Sequence, residues 1–237
     1  MSVRLPIGGF VPFSTADFPG RLAAVVFTAG CPLACRYCHN PHLRGPRPGP
    51  DAEQPEPGLT WESVLARLAT RRGVLDGVVF SGGEPTIHRA LPAALAAVRT
   101  LGFATGLHTS GCAPESLARA LPLLDWVGLD VKAAFTDYAR ITGRAGAGAR
   151  ARRSLDLVLA SGVAYELRTT IHPALLGPAD LDALAADLAP RGVRKVVLQP
   201  FRPAGCADAG LAATAPAASH RALPPAAHDI AWEWRGA

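Results

Sequence analysis

Leu22-Ala23-Ala24-Val25-Val26-Phe27-Thr28-Ala29-Gly30-Cys31-Pro32-Leu33-Ala34-Cys35-Arg36-Tyr37-Cys38-His39-Asn40-Pro41 starts as an apolar run and ends in a loop bearing three thiols. The run Leu22 to Thr28 reads as a buried parallel strand, because a strand covered on both faces loses its polar alternation. Gly30 and Pro32 interrupt it. The C-x3-C-x2-C set of Cys31, Cys35 and Cys38 therefore falls on a strand-to-helix connection, where a tight loop turns the three thiols toward a common centre.

Outward from this loop the same strand signal recurs at Gly77 to Ser81, Ala104 to Thr109, Trp126 to Val131, Ala164 to Ile171 and Lys195 to Gln199. Between these runs lie amphipathic stretches at Trp61 to Arg71, Arg89 to Leu101, Pro114 to Leu121, Arg150 to Ala160 and Pro178 to Leu188. Thr60 suits a helix start, and Gly102, Gly162 and Gly192 stand where C-terminal glycines belong. Strand and helix thus alternate about six times. Right-handed crossovers wind such units into an α/β partial (β/α)6 barrel with a curved parallel sheet, its active face at the strand C-termini. The expected division is a core over residues 1–205, with an N-terminal extension and a Pro-rich loop at 44–58, followed by an Ala/Pro-rich irregular tail at 206–237. A terminal strand is expected at Ile230 to Trp234.

The 237 residues, 49% hydrophobic, can bury one sizeable core. The net charge is +5, but the basic residues lie singly or in pairs rather than as a patch interleaved with aromatics, so nucleic acid is not an expected partner. Only two of the 24 basic residues are lysines, Lys132 and Lys195, which makes Lys132 at the end of a buried strand conspicuous. No apolar run reaches the roughly 18 to 20 residues of a membrane span, and the N-terminus lacks a signal pattern. A soluble, cytoplasmic protein with no membrane partner is expected.

Five cysteines, three of them between positions 31 and 38, cannot all pair, and such a cluster in a signal-free chain points to metal. Thiolates at this density select zinc or an iron–sulfur cluster. Zinc in a structural site wants a fourth ligand, which His39 or His42 could supply. A [4Fe-4S] cluster on three cysteines instead leaves one iron open to a small molecule. Three packed, unliganded thiols are the bland alternative. Cys112 and Cys206 stand alone and read as packing residues.

C-x3-C-x2-C with an aromatic, Tyr37, before its last cysteine resembles the signature of the radical S-adenosylmethionine (SAM) superfamily. That resemblance implies a [4Fe-4S] cluster on Cys31, Cys35 and Cys38, and SAM bound to the open iron. One-electron reduction would then cleave SAM to methionine and a 5′-deoxyadenosyl radical. It implies that Tyr37 and Asn40 flank the adenine and that no side chain is needed as an acid or base. Gly82-Gly83-Glu84 resembles the family motif that receives the SAM ammonium, with glycines baring the backbone to a close ligand and Glu84 supplying negative charge. Thr109-Ser110-Gly111 and Asp130-Val131-Lys132 resemble turns of the activating enzymes, implying that Thr109, Asp130 and Lys132 hold the ribose and carboxylate. Arg168 and Gln199 would complete the pocket. This chain departs from the pattern at His108, where relatives usually carry an acid, and at Arg202, near which some carry a SAM-contacting histidine.

The stretches Ile7 to Arg21, Val25 to Cys31 and Tyr37 to Pro41 are similar to activating proteins of anaerobic ribonucleoside-triphosphate reductase and to pyruvate formate-lyase activating enzymes. This implies a glycyl radical enzyme as protein substrate and a flavodoxin or ferredoxin as electron donor. A radical SAM enzyme on a small molecule, such as a 7-carboxy-7-deazaguanine synthase, and a non-catalytic zinc or iron–sulfur protein are the alternatives.

Overall fold

The computed structural model describes residues 4–44, 58–214 and 228–235. The strands are β1 Ile7–Ser14, β2 Ala23–Thr28, β3 Gly77–Gly82, β4 Ala104–Thr109, β5 Trp126–Asp130, β6 Ala164–Ile171, β7 Lys195–Pro200 and β8 Ala231–Trp234. The helices are α1 Trp61–Ala69, α2 Leu91–Thr100, α3 Pro114–Ala120, α4 Tyr138–Thr142, α5 Ala147–Ser161, α6 Pro178–Leu188 and α7 Ala209–Ala213. All eight strands join one sheet in chain order. β2 to β8 pair in parallel, while β1 lies antiparallel to β2.

The six strands expected from the sequence are β2 to β7, with ends shifted by a residue at most. β1 escaped that reading because Gly8, Gly9 and Pro12 erase any alternation, yet an edge strand tolerates them, since a proline there need not donate to a ladder. β8 is the terminal strand expected at Ile230 to Trp234, starting one residue later, whereas α7 is a helix within the tail read as irregular, so the sheet extends past residue 206. The Pro-rich loop falls at 45–57, outside the described residues. α1 begins where Thr60 and Ser63 cap each other reciprocally.

The sheet is open, but it curls far enough for its two edges to meet. The Arg235 Nη1, one residue past β8, donates to the Ala16 carbonyl beyond β1 at 3.2 Å. Helices cover the convex face, where Val26, Phe80, Leu107, Leu129, Leu167 and Leu198 are buried in one core. The concave face has a separate floor of Phe18, Ala23, Val79 and Trp126, with the Phe18 and Trp126 rings stacked at 5.7 Å. Above that floor the inward positions turn polar: Ser81, His108, Asp130, Arg168 and Gln199 all face a cavity at the strand C-termini.

Candidate functional site

The cysteine loop is shaped by backbone bonds to two neighbouring segments. Gly30 N–H donates to the Leu43 carbonyl (2.7 Å), Cys31 N–H to that of Arg44 (3.2 Å) and Ala34 N–H to that of Thr142 in α4 (2.8 Å). The Arg44 guanidinium donates to the Cys35 carbonyl. Cys31, Cys35 and Cys38 thereby face one cavity of about 420 Å³. None of the five cysteines is in a disulfide. Burial pushes the Cys31 thiol up to about 11 and raises that of Cys35. With no cation bound these thiols stay protonated near neutral pH, and loading a metal must release their protons.

The second wall is the turn after β3. Gly82 has φ +108°, and a Cβ on Gly83 would lie 2.1 Å from the Gly30 carbonyl oxygen, so this turn can press against the cysteine loop only with glycine at both positions. Gly83 N–H donates to the Thr28 carbonyl and Glu84 N–H to that of Gly30, each at 2.8 Å. Both glycines face the cavity, but Glu84 is fully buried and does not. Its Oε1 accepts from the hydroxyls of Thr86 and Thr109 (2.6 Å each) and from Thr86 N–H (3.1 Å). Its Oε2 accepts from Ser110 N–H (2.8 Å) and the Ser110 hydroxyl. The Glu84 carboxylate is therefore spent on clasping the turn after β3 to the turn after β4.

Charged groups form the third wall. Asp130 Oδ2 lies 3.2 Å from Lys132 Nζ, and its Oδ1 lies 3.0 Å from Arg168 Nε and 2.9 Å from Arg168 Nη2. Burial would raise the Asp130 pKa, but Lys132 and Arg168 outweigh it and hold the carboxyl at about 2. Burial likewise disfavours the Lys132 ammonium, yet the electrostatic pull of Tyr37 and Asp130 outweighs it and carries its pKa well above the ordinary lysine value; the ammonium lies 5.6 Å from the centre of the Tyr37 ring. Two cations share one carboxylate here, which leaves a net positive charge facing the cavity. Tyr138, buried in α4, holds this wall in place: its hydroxyl accepts from Lys132 N–H (2.9 Å) and lies 3.4 Å from the Asp130 carbonyl.

The structure thus gathers around one cavity twelve of the thirteen residues singled out from the sequence: the three cysteines, Tyr37, Asn40, Gly82, Gly83, Thr109, Asp130, Lys132, Arg168 and Gln199. Glu84 is the thirteenth, one step behind. Sequence reasoning missed Asp17 and Arg235, which line the opposite side. Both come from the chain's ends, and no local pattern announces that residues 219 positions apart, Ala16 and Arg235, touch. His108 is a floor residue. Its Nε2 donates to the Asp17 carbonyl at 2.9 Å, its Nδ1 lies 3.3 Å from the Ser81 hydroxyl, and its ring packs edge-on against Trp126. Burial, with the nearby Arg168 charge, depresses its pKa to about 3, so the imidazole is neutral.

The Radical SAM superfamily profile matches residues 25–197, the span from β2 to β7 that builds this cavity. The chain belongs to the radical SAM superfamily. It is 32% identical over 201 residues to the pyruvate formate-lyase-activating enzyme of Clostridium pasteurianum, covering 80% of this chain and 79% of that one. It is 29% identical over 191 residues to a Methanocaldococcus jannaschii protein named as a glycyl-radical enzyme activating enzyme, covering 76% and 73%. Among solved structures, Streptococcus suis SuiB bound to S-adenosylmethionine superposes with a TM-score of 0.54 at 14% identity, covering 73% of this chain and 39% of that one, a likeness of fold.

Radical SAM proteins are enzymes that act by radical chemistry with a [4Fe-4S] cluster and S-adenosylmethionine. The donor set here fits that pair. Three thiols around a shared cavity suit a four-iron cluster that would take a thiolate on three of its irons and leave the fourth open to a small molecule. Lys132 and Arg44 both lie close enough to Cys35 to favour its thiolate. Among the described residues no helix is long and apolar enough to cross a membrane.

Proposed function

We propose that this chain activates a glycyl radical enzyme. The cluster would sit on Cys31, Cys35 and Cys38, with SAM between Asn40 and Tyr37 on one side and Gly82, Gly83, Thr109, Asp130, Lys132, Arg168 and Gln199 on the other. When bound and supplied with one electron, the cluster and SAM would supply methionine and a 5′-deoxyadenosyl radical able to take a hydrogen from a backbone glycine of the partner. The chain's own residues bind and orient. The glycine pair brings the backbone of the β3 turn against the cysteine loop, and the doubly cationic Asp130 wall offers Lys132 to an anionic carboxylate. Glu84 acts from behind by fixing Thr109 and Ser110, rather than by touching the SAM ammonium.

The observation that carries this reading is the extent of the likeness: relatives named for glycyl radical activation align over about three quarters of their own length. The proposed partner is an anaerobic ribonucleoside-triphosphate reductase, on the likeness of the Ile7 to Arg21 and Tyr37 to Pro41 stretches, with flavodoxin or ferredoxin as electron donor. The test is anaerobic reconstitution with iron and sulfide, followed by SAM, dithionite and the reductase. We expect 5′-deoxyadenosine together with a glycyl radical doublet in the electron paramagnetic resonance spectrum of the reductase, both lost in Cys35→Ala. Release of 5′-deoxyadenosine with no glycyl radical in any candidate partner, and consumption of a 7-carboxy-7-deazaguanine precursor instead, would refute it.

A further inference from the structure

The cysteine loop is braced on one side by α4, through Ala34 N–H and Arg36 N–H on the carbonyls of Thr142 and Ile141 (2.8 and 3.4 Å). Its other side faces the segment after β7, residues 201–211, which the reading of the site has not used. This segment is anchored to the barrel wall independently of the loop. Phe201 N–H donates to the Ile171 carbonyl at 3.0 Å, the Phe201 ring packs edge-on against His172 at 4.9 Å, and His172 Nε2 lies 3.1 Å from the Leu211 carbonyl.

From that anchorage it reaches the loop at four points. Asp208 forks: its Oδ1 caps α7 by accepting from Leu211 N–H (3.0 Å), while its Oδ2 takes Arg36 Nε at 2.9 Å. Cys206 Sγ lies 3.4 Å from the Arg36 carbonyl, and Arg202 N–H donates to His39 Nε2 at 3.3 Å. The tightest contact is at Gly205, where φ is +79° and a Cβ would meet the His39 carbonyl oxygen at 2.6 Å. Arg36 directly follows Cys35 and His39 directly follows Cys38, so every one of these contacts bears on the part of the loop that carries Cys35 and Cys38.

We propose that residues 202–208 form a clamp that positions Cys35 and Cys38 for the cluster and governs how firmly iron is retained. The proposal rests on the assignment of the cluster to the three cysteines. An exposed pair such as Arg36–Asp208 adds little alone, since side-chain entropy and solvent offset the attraction. The clamp draws its strength from close backbone contact at His39, with the ion pair and the Cys206 contact setting its register. Residues behind a metal's ligands commonly change its retention by about 10-fold or more when altered. Gly205 and Asp208 are therefore positioning residues.

The experiment follows iron release from the reconstituted protein into an excess of a ferrous chelator, alongside the thermal melting of the same samples. Gly205→Ala is expected to lose iron about 10-fold faster than the parent protein, and Asp208→Ala to do so in the same direction by less. Release at the parental rate in both variants would overturn the proposal, and so would a lowered melting temperature with unchanged release, which is what a merely structural segment would give. A parent protein that takes up no iron would overturn the cluster assignment itself, and the clamp with it.

Discussion

His108 makes the floor of the cavity sensitive to acid, and the size of the effect follows from its surroundings. The Asp17 carbonyl can only accept, so Nε2 carries the proton and Nδ1 is left as a lone pair toward the Ser81 hydroxyl. A second proton would only turn that contact round, the hydroxyl then accepting, but it would place a cation in a buried site already facing Arg168. The native pKa of about 3 lies below the ordinary histidine value of about 6.5. The fold therefore prefers the neutral ring. The stability this residue permits is complete above about pH 6.5 and falls as the unfolded chain alone takes up a proton, down to about pH 3. At about pH 5 the unfolded histidine has gained roughly 1.5 pH units of protonation free energy, a loss of about 2 kcal/mol. His108→Gln keeps a donor for the Asp17 carbonyl but does not titrate. Urea unfolding of both proteins, without iron, near pH 7.5 and near pH 5 should show the parent losing about 2 kcal/mol more than the variant. Equal losses would refute the reasoning, because they would mean that the buried ring is free to ionise.

Two further substitutions probe groups that stand behind the cavity. Glu84→Gln puts an amide N–H₂ where Oε1 or Oε2 now accepts from Thr109 or Ser110, so about 2 to 3 kcal/mol of stability should go; a urea midpoint equal to that of the parent would show that the clasp is dispensable. Tyr138→Phe leaves Lys132 N–H without its acceptor and frees the Asp130–Lys132 wall. Calorimetric titration with SAM should show affinity reduced about 10-fold, the equivalent of about 1.4 kcal/mol, with iron content unchanged. Parental affinity would place Tyr138 in the core alone.

Much of the site was legible because its parts sit at strand C-termini, and strands announce themselves locally. A short apolar run rich in β-branched residues predicts both the strand and the edge at which it ends, which put Gly82, Thr109, Asp130 and Gln199 at strand C-termini before any fold was known, while the family resemblance implied their roles. β1 and α4 were not legible for the opposite reason. Two glycines and a proline in β1, and only five residues in α4, leave no period to read, and both are held by what they pack on. The sequence also suggested the wrong direction for one charge. Glu84 follows two glycines as if aimed at a ligand, yet in the fold five neighbouring hydroxyl and amide donors from Thr86, Thr109 and Ser110 claim both of its oxygens.

What the sequence determined by itself is the chemistry. Three thiols at C-x3-C-x2-C spacing, a glycine pair one strand later and one of only two lysines after a buried strand restrict the donor set, because so short a spacing keeps the cysteines on one loop, although bonds to Leu43, Arg44 and Thr142 shape that loop. Only the tertiary structure decided which charges face the cavity and which are consumed behind it, and which distant segments close around the cysteine loop. Arg235 reaching Ala16 and Asp208 reaching Arg36 are contacts across 219 and 172 positions. They depend on the curl of an eight-stranded sheet, a property of the pleated backbone as a whole that no stretch of residues carries alone.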